Sequence, residues 1–231
     1  MYKNSEKFLT TFTRIERMLK TLLRDRREVG FSKAVKILSN SNPIVKRYSN
    51  TLLEFAELRN AIVHNKIDMT YAIAEPHDSV VNEIEIIEKE LMQPRKVIPL
   101  FSRKVYVFQQ SQPLASLLKL INEKDISKFP IYDGGEFKGI VSQKGITSWL
   151  AKNAVEQISH LSEIEIRDVL SYEKGDNFKL ISSNTSVYEA EEIFKDQVGK
   201  GNRLEALLIT KHGHPSEKLL GIITNWDIMK V

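Results

Sequence analysis

Phe129-Pro130-Ile131-Tyr132-Asp133-Gly134-Gly135-Glu136-Phe137-Lys138-Gly139-Ile140-Val141-Ser142 is two apolar runs around a turn. Asp133-Gly134-Gly135 supplies residues that reach positive φ cheaply, so the stretch reads as a β-hairpin. Upstream, Leu114, Leu117, Leu118 and Ile121 share one face of a helix over 114–122. Before that helix, Val105-Tyr106-Val107-Phe108 reads as a strand. Downstream, Ile146 to Leu150 begins a second helix. The order is strand, helix, strand, strand, helix.

The same order returns. Phe178-Lys179-Leu180-Ile181 is a strand, Val187 to Phe194 a helix, and Ala206-Leu207-Leu208-Ile209 a strand. His212-Gly213-His214-Pro215 turns, Gly221-Ile222-Ile223 runs back, and Asn225 opens a last short helix. Gly139-Ile140-Val141-Ser142 and Gly221-Ile222-Ile223-Thr224 are equivalent landmarks, 82 residues apart. The second copy carries inserts near Gly199–Arg203 and His212–Lys218. A repeat of this kind organises every later reading of single residues.

Upstream of residue 96 the period changes. Phe8, Phe12, Ile15, Leu19, Leu22 and Leu23 recur at steps of three and four, which predicts a long helix over 4–28. Phe31, Val35 and Leu38 predict a short helix over 31–39. Ser41-Asn42-Pro43 is a break and a helix start, because proline suits the first helical turn. A third helix follows over 44–63, and a fourth over 77–92 with Val80, Val81, Ile84, Ile87 and Leu91. Four helices with short connections predict an up-and-down bundle. The expected fold class is α+β: a four-helix bundle over 1–95, then two β-α-β-β-α repeats over 96–155 and 156–231.

Composition narrows the classes. The 231 residues are 42% hydrophobic and 28% charged, ordinary for a globular chain. No apolar run approaches the ~20 residues that span a bilayer. The start, Met1-Tyr2-Lys3-Asn4, runs into an amphipathic pattern rather than a secretory segment. Cysteine is absent, which excludes disulfides and thiolate metal sites. These features lead to the expectation of a cytoplasmic protein with no membrane partner. The net charge of +4 is mild and lies mostly in the first 95 residues. The basic run Arg24, Arg26, Arg27 is interrupted by Asp25 and followed by Glu28, as on a solvated helix face.

With Phe129 to Asp133 and Phe137 to Ser142 in the first copy, and Ile166 to Leu170 and Gly221 to Ile228 in the second, the chain from about 96 resembles a tandem pair of CBS (cystathionine-β-synthase) domains, a Bateman module. The resemblance implies a regulatory unit whose clefts take an adenine-containing ligand: AMP, ADP, ATP, S-adenosylmethionine or cyclic di-AMP. It implies no metal. The family signature, Gly-apolar-x-Ser/Thr-x-x-Asp/Asn, sets a hydroxyl and a helix start toward phosphate and an acid toward ribose hydroxyls. A carboxylate is a two-oxygen acceptor suited to a vicinal diol. Thr224 and Asp227 complete the signature in the second copy. The first copy has Ser142, but Gly145 stands where the acid belongs. By the family pattern, Ile98, Arg103, Ile126 and Ser127 complete the Asp227 site. The bland alternative is that Thr224-x-x-Asp227 is only a capping box. Both roles are compatible.

The third helix ends in Arg59-Asn60-Ala61-Ile62-Val63-His64. With the four-helix pattern, this resembles the HEPN (higher eukaryotes and prokaryotes nucleotide-binding) domains, many of which are metal-independent ribonucleases acting as dimers. The resemblance implies a homodimer, RNA as a partner, and a rival function as a nucleotide-gated ribonuclease. In that reading His64 moves protons near neutrality, Arg59 meets phosphoryl oxygens, and Asn60 binds substrate or orients the histidine. The plain alternative is that Arg59 pairs with Glu54, Glu57 or an acid of the fourth helix, while His64 sits at the helix end before Asn65 as a cap.

His77, His160, His212 and His214 do not form a metal set. Trp149 and Trp226 follow the landmark of each repeat and read as core or interface packing. Gly199-Lys200-Gly201 lacks the rest of a P-loop and reads as a connector.

Overall fold

The computed structural model describes residues 3–23, 29–64, 74–153 and 163–230. The predicted basic run at 24–28, the Asn65 cap, His160 and the junction at 155 and 156 lie outside these residues. The chain divides into two compact units, Met1–Arg95 and Lys96–Val231.

In the first unit most of the periodic apolar residues become one buried face per helix, while Leu22, at the end of the first, is exposed. Helix α1 (Lys3–Leu22) buries Phe8, Phe12, Ile15 and Leu19. Helix α2 (Phe31–Leu38) buries Phe31, Ala34, Val35 and Leu38. Phe12 stacks on Phe31 at 4.3 Å, and Phe8 meets Phe55 edge-on at 5.6 Å. The predicted helix over 44–63 is divided into α3 (Pro43–Arg47) and α4 (Ser49–His64). Tyr48 closes α3 with φ −100 and ψ 13, outside the helical basin. Asn42 caps α3, accepting from the backbone N–H of Ile44 and Val45 at 3.0 Å each. Helix α5 (Asp78–Met92) buries Val81, Ile84, Ile87 and Leu91, and His77 is its N-cap. Arg14 ties α1 to α5 through a fork onto Glu88.

Among the described residues, the second unit holds two three-stranded sheets. After the short α6 (Val97–Leu100) comes β1 (Phe108–Gln109), which pairs parallel with β2 (Lys128–Asp133). The predicted strand over 105–108 is thus confined to its last residue and the next one. Only Phe108 and Gln109 reach the ladder, opposite Ile131 and Tyr132. Helix α7 (Leu114–Lys124) makes the crossover, and β3 (Glu136–Ser142) returns antiparallel to β2. Helix α8 (Gln143–Asn153) follows at once. After α9 (Ile166–Leu170), the second sheet repeats the plan: β4 (Phe178–Ser182) is parallel to β5 (Ala206–Thr210) across α10 (Val187–Gly199), and β6 (Gly221–Ile223) is antiparallel to β5. Helix α11 (Asn225–Ile228) closes the unit.

The segment before each repeat packs on the other repeat. Val97 and Phe101 belong to the core of the second copy, with Phe194, Leu207 and Ile223. Ile166 and Val169 belong to the core of the first, with Phe129, Val141 and Trp149. Ile140, Ala206, Leu208 and Ile222 join the two sheets face to face. Ser102 bridges Gly221, so close that a Cβ on Gly221 would collide with the Phe101 carbonyl. The landmark glycines therefore answer two needs. Gly221 leaves room for a neighbouring backbone, and Gly139 adopts φ +146 beside the irregularity at Ile131 and Tyr132.

Candidate functional site

The exchange of leading segments carries the chain after α6 onto the landmark of the second copy. There it forms one wall of a cavity of about 260 Å³. Arg103, Lys104, Val105 and Tyr106 make that wall. Asp125, Ile126 and Ser127, between α7 and β2, make another with Lys128 at the start of β2. Ile222, Thr224, Trp226 and Asp227, from β6 into α11, make the third.

Asp227 is the centre of the polar contacts. Its Oδ2 accepts from the Thr224 N–H at 2.7 Å and from Thr224 Oγ1 at 2.7 Å. The Arg103 guanidinium forks onto the same carboxylate, at 3.0 Å to Oδ1 and 2.7 Å to Oδ2. Arg103 also donates to the Ile222 carbonyl at 2.5 Å. Burial by itself would push the Asp227 carboxyl up. The hydrogen bonds from Arg103 and Thr224, with the Arg103 charge, outweigh it and hold the group below the ordinary aspartate value. Asp227 thus caps α11 and still faces the cavity.

Two further features make the cleft amphipathic. Lys104 lies over the Tyr106 ring at 5.0 Å. Trp226 is 74% exposed and lines the cavity, so of the two expectations for it, core or interface packing, the core one does not hold, while Trp149 is buried. Lys144, the equivalent position by the landmark spacing, is exposed as well. Lys128 reaches Glu205 at 2.9 Å and Ser127 Oγ at 3.4 Å.

Of the expected ligand residues, Arg103, Ile126, Ser127, Thr224 and Asp227 come together in this cleft. Ile98 packs against the core of the second copy instead. Ser142 lies at the equivalent landmark of the first copy, fully buried. Lys104, Tyr106, Lys128 and Trp226 were missed. Their signal was only adjacency to residues already singled out.

In the first unit, Arg59 and Asn60 line a separate cavity of about 290 Å³ with Glu16, Lys33 and the start of α2. Arg59 donates to Asn60 Oδ1 at 3.2 Å. His64 is the last residue of α4. In the second unit, His212 and His214 belong to a loop organised by Glu217, which accepts from the His212 N–H at 2.7 Å and Thr210 Oγ1 at 2.9 Å. No group of three or more His, Cys, Asp or Glu among the described residues is placed to hold a metal ion. No helix among them is long and apolar enough to cross a membrane.

Comparison with known proteins gives a match to the CBS domain family model over residues 97–152. No curated protein matches the chain in sequence. Similar solved structures include CBSX2 in complex with AMP, 16% identical, covering 59% of this chain and 94% of that one, with a TM-score of 0.43. They also include the CBS domain pair of protein MJ0100 in complex with 5′-methylthioadenosine and S-adenosyl-L-methionine, at 15% identity, 59% and 94% coverage and a TM-score of 0.44. A third is the CBS domain of a CBS domain containing membrane protein from Sphaerobacter thermophilus, at 15% identity, 60% and 88% coverage and a TM-score of 0.44. The chain carries a CBS domain at residues 97–152, and the unit that contains it repeats the same element order from β4 to α11.

Proposed function

We propose that the second unit binds an adenine-containing nucleotide in the Asp227 cleft and that the protein is regulatory. The observation that carries this reading is the convergence of the Asp227 carboxylate, the Thr224 hydroxyl, the cations Arg103 and Lys104 and the rings of Tyr106 and Trp226 on one cavity. Asp227 offers acceptors to a ribose diol. Arg103 and Lys104 suit phosphoryl oxygens, Arg103 through its fork. Tyr106 and Trp226 give a flat base an apolar wall. A diol approaching Asp227 competes with Arg103, so binding in this reading turns the guanidinium from Asp227 toward phosphate.

A nucleotide regulates only by its differential affinity for two arrangements of the protein. The reading extends to transmission toward the helical unit or a homodimer, in a cytoplasmic setting. Trp226 makes the test direct. Titration with AMP, ATP and S-adenosylmethionine is expected to give a saturable change in tryptophan fluorescence for at least one of them. The change is lost in Asp227→Ala, and Trp226→Phe removes the signal. Absence of a saturable change with all three up to millimolar concentration contradicts the reading.

A second reading rests on the cavity beside Arg59 and Asn60. There the helical unit is a metal-independent ribonuclease with Arg59, Asn60 and His64 as its working groups. It predicts RNA cleavage in the presence of a chelator, abolished by His64→Ala. Equal residual cleavage by both proteins rejects it.

A further inference from the structure

The first copy lacks the signature acid, yet a carboxylate stands there. Glu173, three residues beyond α9, places Oε1 at 2.6 Å from the Ser142 backbone nitrogen and 2.9 Å from Ser142 Oγ. Asp227 makes this same pair of contacts with Thr224, at 2.7 Å each. A Cβ built on Gly145 would collide with the Glu173 carboxylate, so Glu173 fills the space an acid at 145 would take. The correspondence extends outward. Arg103 holds Asp227 and donates to the Ile222 carbonyl. Asn177 donates to Glu173 at 2.7 Å and lies 3.5 Å from the Ile140 carbonyl. Ile140 and Ile222 are equivalent by the landmark spacing.

The two clefts differ in access. Ser142 and Asn177 are buried, at 0% and 4% exposure. Strand register sets Lys128 opposite Ser142 and, by extension of β6 by one residue, Ala206 opposite Thr224. Glu205 therefore stands where the open cleft has Ser127. It is buried, ion-paired to Lys128 and Arg203, and its N–H donates to the Asn177 carbonyl at 2.6 Å. A phosphate entering there would meet two carboxylates whose hydrogen-bond partners are already taken.

We propose that Glu173 is the built-in occupant of the first copy's cleft. It replaces the missing acid from a different segment and closes that cleft, leaving one ligand site per chain. Only the stoichiometry rests on the nucleotide-binding reading; the exchange of carboxylates does not.

A stability cycle on the full chain tests the exchange without ligand. Glu173→Ala strips a buried N–H and hydroxyl of their acceptor, and Gly145→Asp collides with Glu173. Each is expected to lower Tm by several degrees. The double variant moves the carboxylate to the Asp227-like position, and its Tm is expected to exceed that of either single variant. A double variant no more stable than Glu173→Ala overturns the proposal. That comparison holds even if Gly145→Asp alone fails to fold. Isothermal titration with AMP adds the second arm. One AMP per chain in the unmodified protein agrees with closure, and two per chain overturns it. If AMP, ATP and S-adenosylmethionine all fail to bind, the nucleotide reading falls, while the stability cycle still decides the role of Glu173.

Discussion

Asp227 and Glu173 perform the same local task from different places in the chain. One was legible in the sequence and the other was not. Asp227 sits three residues after Thr224, a spacing that a single helical turn makes meaningful. Glu173 reaches Ser142 across 31 residues, and no local period announces such a contact. Glycine at 145 was read as a deficit, whereas the structure shows it as the space another side chain needs. At this scale the Arg103–Asp227 fork depends on pH in a stated direction. The Asp227 carboxyl is held below its ordinary value, so its pairing is present above the unfolded pKa and is lost as pH falls through the folded one. Glu217 is the stronger case. Its backbone hydrogen bond from His212 comes first among causes that bring it from 4.5 to about 2. Between these values the organised loop loses its carboxylate as pH falls. Glu217→Gln is expected to flatten the acid limb of a stability-versus-pH curve over that interval; an unchanged curve contradicts the role of Glu217.

At the scale of elements, most helices and strands followed from periodicity, and the exceptions have physical causes. Tyr48 divides one predicted helix because its dihedrals leave the helical basin. The strand predicted at 105–108 is β-prone in composition, but Val105 and Tyr106 line the cleft instead of joining the ladder. Trp226, expected in a core or an interface, stands exposed beside the cavity. Two element-scale predictions follow from packing. Gly221→Ala forces a Cβ against the Phe101 carbonyl and is expected to cost about 1–3 kcal/mol or more, measured by chemical denaturation. Ser186 caps α10, accepting from the Glu189 N–H at 3.1 Å while Glu189 accepts from the Ser186 N–H at 2.6 Å. Ser186→Ala is expected to cost about 1 kcal/mol. A cost near zero for either means that the contact is not felt.

For the whole molecule, the repeat was legible because both copies keep the same landmarks. The exchange of leading segments was not, since nothing in the apolar pattern says which core Val97 or Ile166 joins. Yet that exchange builds the cleft. It brings Arg103 to the second copy's landmark, and by the same crossing brings Glu173 to the first copy's. Every residue of the cleft lies between 103 and 227, inside the unit Lys96–Val231. A fragment of that unit is therefore expected to keep saturable nucleotide binding, its Kd differing from that of the full chain only by the coupling to the helical unit. A tenfold weaker fragment would show that the helical unit contributes, since tenfold corresponds to about 1.4 kcal/mol.

The most direct measurement is isothermal titration of AMP, ATP and S-adenosylmethionine into the full chain, beside its Asp227→Ala variant. The account predicts saturable binding of at least one of them at one site per chain, weakened at least tenfold by the substitution. Binding that is indifferent to Asp227, or no binding of any of the three, would contradict it.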